Sequence, residues 1–250
     1  MNCELTTDGL EMCIKNSIRL LKDSSKRDLS LPTVGALIEI GLEEAAKAFL
    51  IMFCLMKNGI INEYQDKDKS DGIKQSLNLK QKIKEFTDEF NCFADIGDLF
   101  IHHDVKTKLI RKLGTFLQEI DTQLSNESIR NSAIRSLKDF EPKFEETEIN
   151  RRLSDPKAML DTKERIEAIG RASRNFSSKI KEQGFYVDCD NHLFKFPSVG
   201  TKTIKDLSGF LFALIYTLLQ IAESTQVKFK SELNIKNIKG DFNSLQNRLQ

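Results

Sequence analysis

Five side chains have types and spacings that could move a proton and hold a phosphate. Glu43, Glu44 and Lys47 lie in one apolar stretch, and His103 and Lys106 lie in another. A histidine titrates near neutral pH and can shuttle protons, while a lysine can neutralise charge on phosphorus. Such a set suffices for cleavage of an RNA phosphodiester without a metal. One group takes the 2′-OH proton, a cation stabilises the phosphorane and an acid protonates the leaving oxygen. Glutamates would orient the histidine or the lysines. The same residues also suit a plain polar tie between helices. Glu43 and Lys47 form an i,i+4 pair worth only about 0.2–0.5 kcal/mol on an exposed face, and His103 would then be a hydrogen-bonded core histidine.

The elements that must position these groups are helices. Ser30 can cap a helix with Leu31-Pro32 in its first turn, and Asn58-Gly59 is a stop signal. From Val34 to Met56 the apolar residues go nearly all the way round, which marks a helix surrounded by others. Glu39, Glu43 and Lys47 fall along one stripe of it, with Glu44 beside Lys47. A second helix is expected from Cys92 to about Leu124. Its stripe of Ile96, Leu99, Phe100, His103, Lys106, Ile110, Leu113 and Leu117 turns His103 and Lys106 inward and leaves His102, Asp104 and Lys108 elsewhere. Lys106, Lys108, Arg111 and Lys112 also make a basic strip that could touch a phosphate backbone, although such strips are commonly solvated faces.

Further helices are expected over residues 8–26, 72–90, 126–140, 157–182 and 203–231. Leu207 to Ala222 is again almost wholly apolar, so this helix should pack on the one at 34–56. Between them the stretch GFYVDCDNHLFKFPSVG mixes β-formers with turn residues. It predicts a small hairpin, Phe185–Cys189 with His192–Phe196, or an extended lobe near 184–198. The expected architecture is an all-α helical bundle forming a single domain over 1–235, followed by a loosely held polar tail over 236–250.

At 250 residues with 40% hydrophobic and 30% charged content, the chain can bury a sizeable core. A net charge of +1 provides no global field for nucleic acid. Cysteines 3, 13, 54, 92 and 189 form an odd set without paired spacing, which reads as reduced thiols rather than disulfides or a zinc site. The two helices that matter carry no Glu-x-x-His pair for a di-metal bundle, and no glycine-rich phosphate loop occurs, so no metal or cofactor is expected. The opening MNCELTTDGLEMC lacks a basic-then-apolar leader, and the uninterrupted run Ala48–Met56 is only nine residues. A cytoplasmic protein without membrane insertion is expected.

Three segments in order, ALIEIGLEEAAKAF (36–49), FIHHDVKTKL (100–109) and KEQGFYVDCDNHLFKFPS (181–198), resemble the AbiV family of abortive-infection proteins. That family is itself similar to the all-helical HEPN superfamily. The matching positions are Glu43, Glu44, Lys47 and Ala48; His103 and Lys106; and Gly184, Tyr186, Val187, Asp188 and Pro197. The likeness covers roughly residues 10–225. It implies a HEPN-like bundle acting as an anti-phage effector, switched on by a phage-encoded activator and shutting down the host cell, often by halting translation. HEPN relatives are commonly metal-independent ribonucleases that work as homodimers. The resemblance therefore assigns proton transfer to His103, phosphate binding to Lys47 and Lys106, and orientation to Glu43 or Glu44. The usual superfamily pattern, Arg-x(4–6)-His, is not present, since no arginine lies between Arg27 and Arg111. A lysine standing in for that cation lacks arginine's bidentate fork. The alternative is a non-enzymatic protein that binds a phage or cellular factor through 182–198 and its exposed helix faces.

Overall fold

A computed structural model describes residues 6–62, 81, 84–86, 88, 103–124, 167–174, 176, 188–190, 193–195, 199–230, 233 and 235–249. These residues are mostly helical. Helix α1 spans Thr7–Ser24 and is capped by Thr6, whose hydroxyl oxygen accepts the Gly9 N–H at 3.1 Å. Helix α2 spans Leu31–Lys57; the Ser30 hydroxyl accepts the Thr33 N–H at 3.3 Å, and Pro32 sits in the first turn where its missing N–H costs nothing. Gly59 takes φ +67°, and the Ile60 N–H reaches back to the Leu55 carbonyl, closing the helix.

Helix α2 is the axis of the bundle. Val34, Ile38, Leu42, Phe49, Met52, Phe53 and Leu55 are fully buried. On one side it packs against α1 and against α4, which spans Thr201–Ser224. The three helices converge at Gly41. Its carbonyl accepts the Ser17 hydroxyl at 3.1 Å, and a Cβ there would lie 2.8 Å from Leu211 Cδ2. The missing side chain is what lets the helices approach so closely.

On the other side α2 meets α3, His103–Leu124. Phe49 and Phe53 of α2 pack edge-on against Phe116 of α3, with Phe86 closing the cluster. Ile110, Leu113 and Leu117 face inward as their spacing predicts. Helical residues 167–174 pack on α3, where a Cβ at Gly114 would overlap Ser173. The helices expected over 92–102 and 126–140 lie outside the described residues, as does most of 72–90 and 157–182.

Helix α4 ends earlier than its composition suggests. Gln226 adopts φ +57° and the Val227 N–H bonds the Ala222 carbonyl at 2.9 Å, a closing turn that glycine usually makes. Without a glycine, the sequence carries no signal for this stop. Among the described residues α4 is the helix long and apolar enough to cross a bilayer. Its Leu207, Phe210, Leu211, Leu214, Ile215 and Leu218 are instead buried in the bundle.

Two three-residue strands, β1 (Asp188–Asp190) and β2 (Leu193–Lys195), pair antiparallel with Cys189 opposite Phe194. The rest of the 184–198 stretch lies outside the described residues.

The polar tail is corrected by the structure. Residues Ile235–Arg248 form helix α5, with Ile238, Leu245 and Leu249 buried. Their spacings of seven and four make one apolar stripe inside a polar composition. The Arg248 guanidinium donates to the carbonyls of Ser24, Lys26 and Leu29, and Gln246 Nε2 donates to Ser208 Oγ at 2.8 Å. The last helix is thus tied to the end of α1 and to α4.

Candidate functional site

The α2–α3 seam carries the predicted charges. Lys106 Nζ lies 3.4 Å from Glu43 Oε2. Both side chains are largely withdrawn from water, at 18% and 7% exposure, so each needs the other. The Glu43–Lys106 and Phe53–Phe116 pairs are both 63 residues apart in sequence, so α2 and α3 run side by side in the same direction.

Lys47 and Glu44 make a second ion pair at 2.6 Å. Its surroundings differ. Cys13 of α1 stands near it, and burial pushes that thiol up to about 11, with the Glu44 carboxylate adding to the rise and Lys47 opposing it. The charged stripe of α2 therefore divides, with Glu43 engaged by α3 and the Glu44–Lys47 pair within reach of α1. Of the five predicted catalytic residues, the structure joins Glu43 to Lys106 and Glu44 to Lys47. His103 opens α3, one turn before Lys106; its side chain lies outside the described residues. Tyr186 lies outside them too, and Asp188 is described only as backbone, paired with Lys195 in the short ladder.

The predicted basic strip divides: Lys106 faces α2, whereas Lys108, Arg111 and Lys112 occupy the opposite face of α3. Lys108, Arg111 and Lys112, with Asp104, Thr107 and Thr115, line a surface groove of about 480 Å³. Arg111 is not merely solvated, because its Nη2 donates to the Phe176 carbonyl at 3.0 Å and fastens α3 to the backbone at that residue. Lys108 and Lys112 are engaged as well. A phosphate reaching this groove would meet cations already in use.

Sequence reasoning left two polar features out of the candidate set, Glu39 although it lies on the charged stripe and Arg171–Asp206 altogether. Glu39, on the site helix but outside the predicted set, is fully buried. Arg171 forms a two-pronged pair with Asp206 at 3.0 and 3.3 Å, beside Lys202 and Thr203. A partner 35 residues away leaves no local spacing signal. Among the described residues no three carboxylate, imidazole or thiol groups gather as a metal site requires.

Chemically, the seam offers a desolvated ammonium–carboxylate pair one turn from a histidine. Lys106 can bind a phosphate oxygen only by sharing or leaving Glu43, a carboxylate of a type that can take or hold a proton. No family model, curated protein or solved structure matches the chain.

Proposed function

We propose that this chain is an anti-phage abortive-infection effector of the HEPN-like class that cleaves RNA without a metal. The observation that carries the reading is the contact between Glu43 and Lys106, which joins the Glu-Glu-x-x-Lys helix to the His-x-x-Lys helix. In this reading His103 transfers the proton, Lys106 and Lys47 stabilise the phosphorane charge, and Glu43 or Glu44 orients them. The groove of Lys108, Arg111 and Lys112 would guide the RNA backbone. The cytoplasmic protein would act as a homodimer answering a phage-encoded activator, and its product, cut RNA, would stop translation.

A second reading has its own support. Lys106 is held by Glu43 and Arg111 by the Phe176 carbonyl, as in a scaffold whose cations serve the fold. The chain would then bind a phage or cellular factor through 182–198 and its helix faces without chemistry. Growth arrest after phage challenge separates the two when the parent is compared with a His103→Ala/Lys106→Ala variant that still accumulates as folded protein. The nuclease reading expects arrest and RNA loss to vanish together. A variant that arrests growth and degrades RNA like the parent overturns it.

A further inference from the structure

Helix α4 turns one face away from the bundle, and that face is unlike an ordinary solvated one. Gly209, Phe212, Ala213 and Tyr216 recur at spacings of three and four, a stripe opposite the buried Leu211, Leu214 and Leu218. Tyr216 is 41% exposed. The Phe212 ring stacks with it at 6.2 Å and with Phe242 of α5 at 4.5 Å. A Cβ at Gly209 would meet nothing within 4 Å, so a notch lies open two turns before Tyr216. The outward side of a surface helix normally carries charge, yet α4 has none between Asp206 and Glu223. An exposed aromatic stripe without charge marks an interaction surface.

The stripe is complementary to itself. Across a two-fold axis between Phe212 and Ala213, two antiparallel copies of α4 match positions equidistant from that axis. Tyr216 of each copy then falls over the open notch at Gly209 of the other, and Phe212 falls over Ala213. Each large ring meets a small residue, as close helix packing requires. The ends match as well. Lys202, exposed in the first turn, falls opposite Glu223, exposed in the last. Parallel pairing would instead set like charges against each other at both ends. We propose that this face of α4, flanked by Phe242 of α5, is where a second copy of the chain docks in antiparallel register. It gives a surface to the homodimer of the proposed function; the dimer's part in RNA cleavage rests on that reading, whereas the pairing itself does not.

The test is sedimentation equilibrium of the full chain without RNA, with circular dichroism to confirm that each variant is folded. The parent is expected at twice the 28.6 kDa chain mass. Tyr216→Glu, which puts charge on the stripe, and Gly209→Leu, which fills the notch, should each raise the dissociation constant on the order of tenfold or more. Lys202→Glu alone should weaken the dimer several-fold, and Lys202→Glu/Glu223→Lys should restore it. Within one helix these two positions are roughly 30 Å apart, so the restoration can arise only between copies. A parent at the mass of one chain overturns the proposal and leaves the face to another occupant. A double charge variant no tighter than Lys202→Glu overturns the register. A dimer indifferent to both Tyr216→Glu and Gly209→Leu forms through another face, which overturns this surface while the homodimer of the functional reading stands. A dimer that responds as expected in a protein that does not cut RNA upholds the surface and defeats the cleavage reading alone.

Discussion

Helices α2 and α4 are both long, both almost wholly apolar and packed on one another, yet they differ in charge. Between Asp206 and Glu223, α4 has no charged residue. Over Val34–Met56, α2 carries Glu39, Glu43, Glu44 and Lys47, and the first two are buried. A core helix gains nothing from buried carboxylates, since well-packed apolar residues of similar volume are commonly as stable or more so. Helix α4 shows that this chain can build such a surface. The charges kept on α2 and absent from α4 are divided between its neighbours, Glu43 pairing with Lys106 of α3 and the Glu44–Lys47 pair standing near Cys13 of α1.

The largest effect should come from α4. Phe210 is fully buried, and Phe210→Ala is predicted to cost about 3–5 kcal/mol in equilibrium denaturation. At the seam the loss should depend on charge rather than volume. Lys106→Met leaves Glu43 buried without its cation and is predicted to cost about 2–3 kcal/mol, with Glu43→Gln/Lys106→Met recovering most of it. Strict additivity in this double-mutant cycle would break the comparison, because it would mean that the pair does not couple α2 to α3.

The helix starts sharpen it at a smaller scale. Ser30 caps α2, while Gly200 precedes α4 with no side-chain cap. Ser30→Ala should cost about 1 kcal/mol, and Gly200→Ser should gain a few tenths, both read as shifts in denaturation midpoint. The smallest effect concerns Cys13. A thiol pushed up to about 11 is protonated near neutral pH, so its alkylation should be slow and should accelerate only as pH rises towards that value. Glu44→Gln removes a contribution to the rise and should speed alkylation several-fold, as peptide mapping would show, whereas Lys47→Ala should slow it.

Much of the fold was legible because its signals are local. Ser30-Leu-Pro and Asn58-Gly59 bound α2 closely, and the inward face of α3 follows from Ile110, Leu113 and Leu117. Helix α5 was not legible. Its stripe of Ile238, Leu245 and Leu249 is sparse, and the carbonyls that Arg248 caps are more than 200 residues away in sequence. The early end of α4 depends on Gln226 taking a conformation that its side chain does not advertise. Within the site, the facing of Glu43 and Lys106 could be reasoned from two helical stripes. The division of α2's charges could not, because it depends on α1 lying beside Glu44 and Lys47, and that placement is decided by packing at Gly41 and Ser17.

The most direct measurement uses protein recovered from phage-infected cells, already exposed to its trigger, incubated with total RNA in EDTA while RNA ends are mapped. The account predicts new fragments ending in 2′,3′-cyclic phosphate with the parent chain and none with a folded His103→Ala variant. Recovered parent protein that arrested its host yet leaves RNA intact, or a His103→Ala variant that cuts as the parent does, would contradict it.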